Sequence, residues 1–343
     1  MSKNNLGRFF EDYQVGQEIH HAVPRTISGG ERALYHALYP TRYAMHSSDA
    51  FAQSCGLAAA PFDDLVVFHV VFGKTVPDIS LNAVANLGYA EGRFLVPVWP
   101  GDTLRAVSEV IGVRQNSSGK TGIVWVRTRG FNATDQMVIE YVRWVMVRKR
   151  DSNATPPETV IPDLMASVPP EDLVVPPGLD FSNYDCVLAG EPHLWGDYAI
   201  GEIIDHVDRV TVEEADHVLA TRLWQNTAKV HFDATLRDDR RRLVYGGHIV
   251  SLARSLSFNG LANAQVIVGL NAGSHVNPCF AGDTVCARSE VIGKAETEVP
   301  SVGALRLRLV AAKGTFPETI QFDDGTYHRN ILLDMDYWAL LPR

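Results

Sequence analysis

The chain has 343 residues, of which 46% are hydrophobic and 21% charged, and its net charge is −9. This length suits about two domains, and the apolar fraction excludes a disordered chain. No apolar run reaches the ~18–20 residues of a membrane span, no hydrophobic signal follows the N-terminus, and the acidic balance disfavours a nucleic-acid-binding protein, which normally carries a basic face.

An internal repeat organises the chain. The repeated segments share sequence and order: Asp12–Gly16 (DYQVG) matches Asp197–Gly201 (DYAIG), 100–104 (PGDTL) matches 281–285 (AGDTV), and 108–112 matches 289–293 (SEVIG in both). The offset is 185 residues in the first pair and 181 in the others, and an offset of 185 also relates His46 to His231. Two copies are too few for a solenoid, so we predict a duplicated domain that forms a pseudo-dimer.

A proline-rich segment separates the two copies. Residues 151–178 hold seven of the 18 prolines of the chain. Proline interrupts helices and central strands, so we expect this segment to run extended across the surface. The predicted division is an N-terminal domain at 1–150, a linker at 151–179 and a C-terminal domain at 180–343.

Each copy is predicted to contain a short capped helix and then a buried one. Ser28–Glu31 (SGGE) and Thr211–Glu214 (TVEE) have capping-box spacing, in which a hydroxyl and a Glu side chain close the first helical turn. The later runs 65–72 and 249–256 are apolar almost all round. A helix without a wide polar face is buried, so these runs predict the central helix of each copy.

The remainder of each copy has the pattern of antiparallel strands. Apolar and polar residues alternate in 121–127, 138–147 and 304–310. Such alternation is typical of antiparallel strands with one covered face. Because helix and strands are grouped rather than alternating, the predicted fold class is α+β, with an antiparallel sheet wrapped round a central helix in each half.

A buried helix in a curled sheet, preceded by a loop with one histidine and followed by Gly-Asp-Thr, resembles the hot-dog fold, here in tandem. The signature of the MaoC-like (R)-specific enoyl-CoA hydratases is Gly-Asp-x-Asn-Pro-x-His-x-Asp, and the segment 225–233 (QNTAKVHFD) is similar to it. His231 and Asp233 match this signature, whereas Asn226 stands where the family has its catalytic Asp. In the first copy only His46 matches.

Longer stretches resemble the branch of this family that hydrates mesaconyl-CoA, the thioester of 2-methylfumarate. These stretches are 72–83, 141–151, 225–232 and 245–248. The resemblance implies addition of water to give the 3-hydroxyacyl thioester β-methylmalyl-CoA, or the reverse, in carbon assimilation of the ethylmalonyl-CoA or 3-hydroxypropionate type.

The two copies differ where a helix could stabilise the anion of the reaction. Hydration of an enoyl thioester requires a base and a site for the negative charge on the thioester oxygen. The second copy begins its helix with Gly246 and Gly247, whose N–H groups are open to a substrate carbonyl. In the first copy Pro61 has no N–H and Asp63 would cap the helix and repel an anion. We therefore place catalysis in the second copy and expect the first to line the acyl-CoA tunnel.

His231 is the predicted general base or acid, because a neutral imidazole accepts a proton near pH 7. Asn226 is predicted to position the attacking water, since an amide hydrogen-bonds but does not ionise. Either His231 acts alone or a carboxylate from elsewhere assists it. Asp233 is a candidate for orienting the imidazole, with an exposed turn residue as the equal alternative, and His46 is expected to be a satisfied core group.

The presumed substrate carries a free carboxylate, so a cation is expected in the pocket. We select Arg222, which lies four residues before Asn226. Tyr245 and His248, which flank the two glycines, are further candidates for contacting the substrate. The alternatives for the cation are Lys229, Arg42 and Arg254.

Two other functions suit the same fold: a thioesterase that hydrolyses acyl-CoA, and a non-catalytic acyl-CoA-binding module. Neither a dinucleotide nor a phosphate-loop motif is present, and no spacing indicates a metal site. We therefore expect no cofactor, with coenzyme A entering as part of the substrate. The four cysteines form no CxxC pair, which favours reduced thiols in a cytoplasmic protein. No nucleic acid or membrane partner is expected, and pairing into a homodimer is open.

Overall fold

The structure is a computed structural model that describes residues 3–343, so the first two residues of the predicted N-terminal domain lie outside it. The helices are α1 (Gly29–Leu38), α2 (Ala44–Ser47), α3 (Asp49–Ser54), α4 (Asp64–Thr75), α5 (Cys186–Ala189), α6 (Glu214–Leu223), α7 (Gly246–Leu256) and α8 (Phe258–Leu261). In the described part of the chain no helix is long and apolar enough to cross a membrane.

All the strands of this region belong to antiparallel pairs. They are β1 (Glu18–His20), β2 (Arg25–Thr26), β3 (Ala83–Phe94), β4 (Thr103–Gln115), β5 (Thr121–Phe131), β6 (Met137–Arg148), β7 (Ile203–Thr211), β8 (Val266–His275), β9 (Thr284–Glu296), β10 (Val302–Lys313) and β11 (Ile331–Pro342). The sheet order is β1-β4-β5-β6-β3-β8-β11-β10-β9-β7, with β2 beside β4. The order β4-β5-β6-β3 is the counterpart of β9-β10-β11-β8, and β3 pairs with β8 to join the halves.

One long helix lies against the sheet in each half. Helix α4 packs on β4, β6 and β8, and α7 packs on β7, β9, β10 and β11. Every residue from Leu65 to Thr75 in α4 and from Gly247 to Leu256 in α7 is buried. This is a tandem hot-dog fold, with an antiparallel sheet curled round two central helices, and it confirms the predicted fold class.

Equivalent hydrogen bonds recur in the two copies. The Nε2 atom of His21 lies 2.8 Å from Ser108 Oγ, and Nε2 of His206 lies 2.8 Å from Ser289 Oγ. Both bonds tie the first strand region of a half to its neighbour. Because the two histidines and the two serines have the offsets of the sequence repeat, the duplication extends to individual side-chain contacts.

Of the two predicted capping boxes, only the first forms. Ser28 Oγ accepts from the N–H of Gly30 at 3.2 Å, and Glu31 accepts from the N–H of Ser28 at 2.7 Å. The prediction at Thr211 is wrong, because Thr211 ends β7 and its hydroxyl bonds that of Thr284 at 2.8 Å. Helix α6 begins three residues later, without a side-chain cap.

The proline-rich segment is anchored rather than loose. Val160 forms a short bridge with Val113 of β4. Val168 and Val175 are buried, and the indole N–H of Trp338 donates to the carbonyl oxygen of Val168 at 3.1 Å. The segment therefore packs against the sheet of the C-terminal half as well as connecting the copies, whereas the predicted domain boundaries stay a prediction.

Candidate active site

A cavity of about 400 Å³ lies between the two halves. Its walls come from α4, β3 and β6 of the first half and from the 226–231 and 243–246 segments and β8 of the second. Both copies therefore contribute side chains to the same space. Of the residues proposed from the sequence, four line it: Asn226, His231, Tyr245 and Gly246.

His231 is held as a neutral imidazole. It ends the short 3₁₀ turn Lys229–His231, and its Nδ1 atom lies 2.7 Å from the carbonyl oxygen of Leu243. A carbonyl only accepts hydrogen bonds, so Nδ1 carries the proton and Nε2 keeps its lone pair. Burial lowers the pKa of His231 from 6.5 to about 4, although the bond to Leu243 opposes the shift. The side chain is therefore an available base at neutral pH.

Asp233 does not orient this imidazole. Its carboxylate accepts from the N–H and the hydroxyl of Thr235 at 2.9 and 2.6 Å, at the start of an exposed 3₁₀ turn. Of the two alternatives for Asp233, the structure shows the exposed turn residue, since the carbonyl of Leu243 occupies Nδ1 of His231 instead. Asp side chains commonly accept from a backbone N–H two residues ahead and so cap a turn, and Asp233 does so here.

Asn226 lines the cavity with its side-chain oxygen already hydrogen-bonded. The side chain is buried, and its Oδ1 atom accepts from the N–H of Ala228 at 2.9 Å. With the oxygen engaged, the NH₂ group is the part left to donate to water or to a substrate oxygen. The residue is thus able to donate to a ligand but is not a second base, because an amide does not ionise.

The N-terminus of α7 is closely approached by aromatic side chains. A Cβ atom at Gly246 would lie 2.6–2.7 Å from three ring atoms of His275, and one at Gly247 would lie 2.4 Å from the Tyr245 ring. Glycine is therefore required for these rings to pack over the helix start. The first N–H groups of a helix have no intrahelical acceptor, so Gly246, which lines the cavity, offers a donor there. Gly247 does not line it.

The equivalent helix start in the first copy is closed. The Oδ1 atom of Asp63 accepts from the N–H of Leu65 at 2.9 Å and so caps α4. The space beside Pro61 and Asp64 measures about 20 Å³, room for about one water molecule. His46, the counterpart of His231, is buried with its Nε2 atom 2.9 Å from the carbonyl oxygen of Gln265. The start of α4 is therefore not open to a substrate carbonyl as the start of α7 is.

The matching family model is described as mesaconyl-CoA hydratase and covers residues 2–312. The chain belongs to the mesaconyl-CoA hydratase family. It is 70% identical over 342 residues to the mesaconyl-CoA hydratase of Cereibacter sphaeroides, covering 99% of this chain and 100% of that protein. It is 58% identical over 350 residues to the beta-methylmalyl-CoA dehydratase of Chloroflexus aurantiacus, covering 100% and 99% of the two.

A solved structure supports the same assignment. The putative MaoC domain protein dehydratase of Chloroflexus aurantiacus superposes with a TM-score of 0.97 at 57% identity, over 100% of this chain and 99% of that one. The resemblance to MaoC-like hydratases is thus confirmed, and this member of the mesaconyl-CoA hydratase family is a hydro-lyase.

Two of the residues predicted to bind substrate do not line the cavity. Arg222 is exposed on α6 and does not line the cavity. His248 is buried, but its Nδ1 atom bonds the Tyr39 hydroxyl at 3.0 Å and the side chain also lies outside the lining. The cation expected beside the substrate must come from another residue.

The cation among the described residues that line the cavity is Arg143 in β6, which no prediction from the sequence included. Arg143 is buried in the cavity wall and pairs across the sheet with Tyr89 of β3, which in turn pairs with Gly273 of β8. A Cβ atom at Gly273 would lie 2.9 Å from the Tyr89 ring, so glycine leaves room for that ring to extend across β8. The Tyr89 hydroxyl then lies 3.3 Å from the Nε2 atom of His275.

The strand pattern held a signal for Arg143. In β6 the alternate positions 139, 141, 145 and 147 are apolar and almost wholly buried, and Arg143 shares their face. A charged residue in the apolar register of a strand is unusual unless it has a partner or a function. Nothing comparable identifies Tyr89 or His275.

Proposed function

We propose that the cavity adds water across the double bond of mesaconyl-CoA to give β-methylmalyl-CoA and catalyses the reverse reaction. The observation that carries the proposal is the pairing of a neutral His231 with the open N-terminus of α7 on one cavity wall. A base and an anion site are the two elements that hydration of an enoyl thioester requires. The matched family and its named relatives support the substrate.

The proposed reaction uses His231 twice. Its Nε2 atom takes a proton from a water held by the Asn226 amide, and the water oxygen bonds to C3, the carbon that bears the free carboxylate. The electron pair of the double bond moves to the thioester oxygen, giving an enolate that accepts hydrogen bonds from the N–H at Gly246. The imidazolium then returns its proton to C2. The hydroxyl and hydrogen of one water are thus added, and Asn226 takes no part in proton transfer.

A thioesterase would instead direct water to the thioester carbon and release free coenzyme A. We distinguish the two by incubating the protein with mesaconyl-CoA and following the absorbance of the conjugated thioester together with free thiol. Loss of absorbance without thiol supports hydration. Thiol release would establish hydrolysis, and no change beside a competent hydratase would leave only acyl-CoA binding and refute the proposal.

We further propose that the protein works in the cytoplasm as a homodimer, in carbon assimilation of the ethylmalonyl-CoA or 3-hydroxypropionate type. A CoA thioester substrate and four free cysteines, three of them buried, support the compartment. Dimers are the commonest assembly of soluble oligomers. Light scattering after gel filtration tests the assembly, because a mass of one chain would exclude the dimer.

A further inference from the structure

Arg143 is a buried cation with unused hydrogen-bond donors. Its Nη2 atom donates to the Thr75 hydroxyl at 2.7 Å, while its Nε and Nη1 atoms are buried without a hydrogen-bond partner among the described residues. The guanidinium carbon lies 4.3 Å from the centre of the Phe72 ring. One side of the group is therefore fixed by α4, and several N–H groups are left free.

No carboxylate of the described chain neutralises this charge. Arg143 forms no ion pair within 4.0 Å among the described residues, and Asp78, which follows the end of α4, is already bound to Arg8 at 3.1 Å and to His21 at 2.9 Å. A buried charge without a counter-ion carries a large desolvation penalty. Such an unsatisfied group in a native structure requires a partner that the chain alone does not supply.

We propose that Arg143 binds the free carboxylate of the substrate and thereby selects thioesters of dicarboxylic acids. The inference rests on the proposed function. Of the described residues that line the cavity, Arg143 alone carries a permanent positive charge. Its planar guanidinium matches a carboxylate with two parallel hydrogen bonds, which Lys does not reproduce.

Two aromatic rings connect Arg143 to His231, so both residues can contact one substrate molecule. The Phe72 ring, over which Arg143 lies, is 5.8 Å from the Tyr245 ring, and Tyr245 is 5.8 Å from the His231 ring. The carboxylate of mesaconyl-CoA is attached to C3, which receives the hydroxyl, and lies trans to the thioester. A molecule bound at Gly246 through its carbonyl therefore extends its carboxylate away from α7, toward the first half. Recognition of the acid is thus the task of the N-terminal copy.

Binding of two saturated thioesters tests this role without turnover. Methylsuccinyl-CoA keeps the carboxylate, and 2-methylbutanoyl-CoA replaces it with a methyl group. In Arg143→Gln we expect the dissociation constant of methylsuccinyl-CoA to rise by at least about 100-fold, while that of 2-methylbutanoyl-CoA is unchanged. Arg143→Lys should lie between, and Arg148→Gln, an exposed arginine on the same strand, should bind both as the unmodified protein does.

The outcomes separate this inference from the proposed function. If Arg143→Gln weakens the binding of both ligands equally, or changes the binding of neither, carboxylate recognition by Arg143 is overturned. This holds even if the unmodified protein hydrates mesaconyl-CoA. Selective loss of methylsuccinyl-CoA in a protein that does not hydrate mesaconyl-CoA would support recognition and refute the reaction. If Arg143→Gln fails to fold, Arg143→Lys decides, since it keeps the charge and must still weaken methylsuccinyl-CoA selectively.

Discussion

The Nδ1 atom of His231 donates its proton to the carbonyl oxygen of Leu243, 12 residues along the chain. That bond fixes which nitrogen is basic and keeps the ring in the cavity wall. The carbonyl belongs to the segment that leads into α7, so the base and the helix N-terminus are positioned by one stretch of backbone. The geometry of the base and of the anion site is therefore coupled.

The pH dependence of catalysis should follow the lowered pKa of His231. Because burial lowers this pKa from 6.5 to about 4, the imidazole remains neutral in mildly acidic solution. We expect kcat/KM for mesaconyl-CoA to stay level as the pH falls from 8 to about 5, and to decline below that. A decline centred near pH 6.5 in protein that remains folded by circular dichroism would contradict the assignment.

Replacing His231 should abolish most of the activity. A positioned general base contributes about 10²–10⁴-fold, so we expect His231→Gln to lower kcat by that factor with the fold retained. The matched control is His46→Gln, at the equivalent position of the first copy. It loses a buried hydrogen bond to Gln265, so its melting temperature should fall while kcat is unchanged. Full turnover by His231→Gln would exclude the role.

Two variants of Asn226 separate its structural hydrogen bond from its donor to the ligand. Asn226→Asp keeps an acceptor for the N–H of Ala228 but loses the NH₂ group, and Asn226→Ala loses both. We expect both to lower kcat by about 10-fold or more, since the water loses its donor. Only Asn226→Ala should reduce the melting temperature clearly. An Asp variant faster than the unmodified protein would show that position 226 serves better as a base.

A methyl group at the start of α7 should disturb the site. In Gly246→Ala the new Cβ would meet the His275 ring at 2.6 Å, so the ring or the helix start must move. A shift of about 1 Å in the position of an anion site lowers kcat by about 100-fold, so we expect a loss of that size in Gly246→Ala. Gly29→Ala is the control, because Gly29 is also the first residue of a helix but has open space around its Cα. Equal kcat values for the two variants would contradict the close packing.

We expect the Arg143 side chain to lower the free energy of unfolding of the protein when no substrate is bound. Replacing a buried ion pair by apolar side chains is often neutral or stabilising by about 1–4 kcal/mol. Arg143 has no counter-ion to lose, so we expect Arg143→Met to raise the free energy of unfolding measured in urea. Arg254→Met is the comparison, because that buried guanidinium donates to Tyr43, Ser257 and the carbonyl of Ala264. Its loss leaves buried acceptors and should cost about 1–3 kcal/mol. Destabilisation by both would show that Arg143 is structural.

The elements that local pattern specifies could be predicted from the sequence. The repeat follows from matching segments, the two buried helices follow from runs that are apolar almost all round, and the strands at 121–127, 138–147 and 304–310 follow from alternation of apolar and polar residues. Each of these signals is read along the chain alone. The difference between Gly246 and Asp63 at the two helix starts was visible for the same reason. The predicted helix cap at Thr211 also rested on local sequence. It was wrong because the Thr211 hydroxyl bonds that of Thr284, a residue of another strand.

The sequence by itself determined the duplicated fold, the family resemblance and a candidate base with an open helix start beside it. Only the tertiary structure showed which cation lines the same cavity as that base. Arg143, Tyr89 and His275 come from three strands and meet because β6 pairs with β3 and β3 with β8. The first pairing forms within the N-terminal half and the second joins the two halves, so residues far apart along the chain become neighbours without any mark in the local pattern.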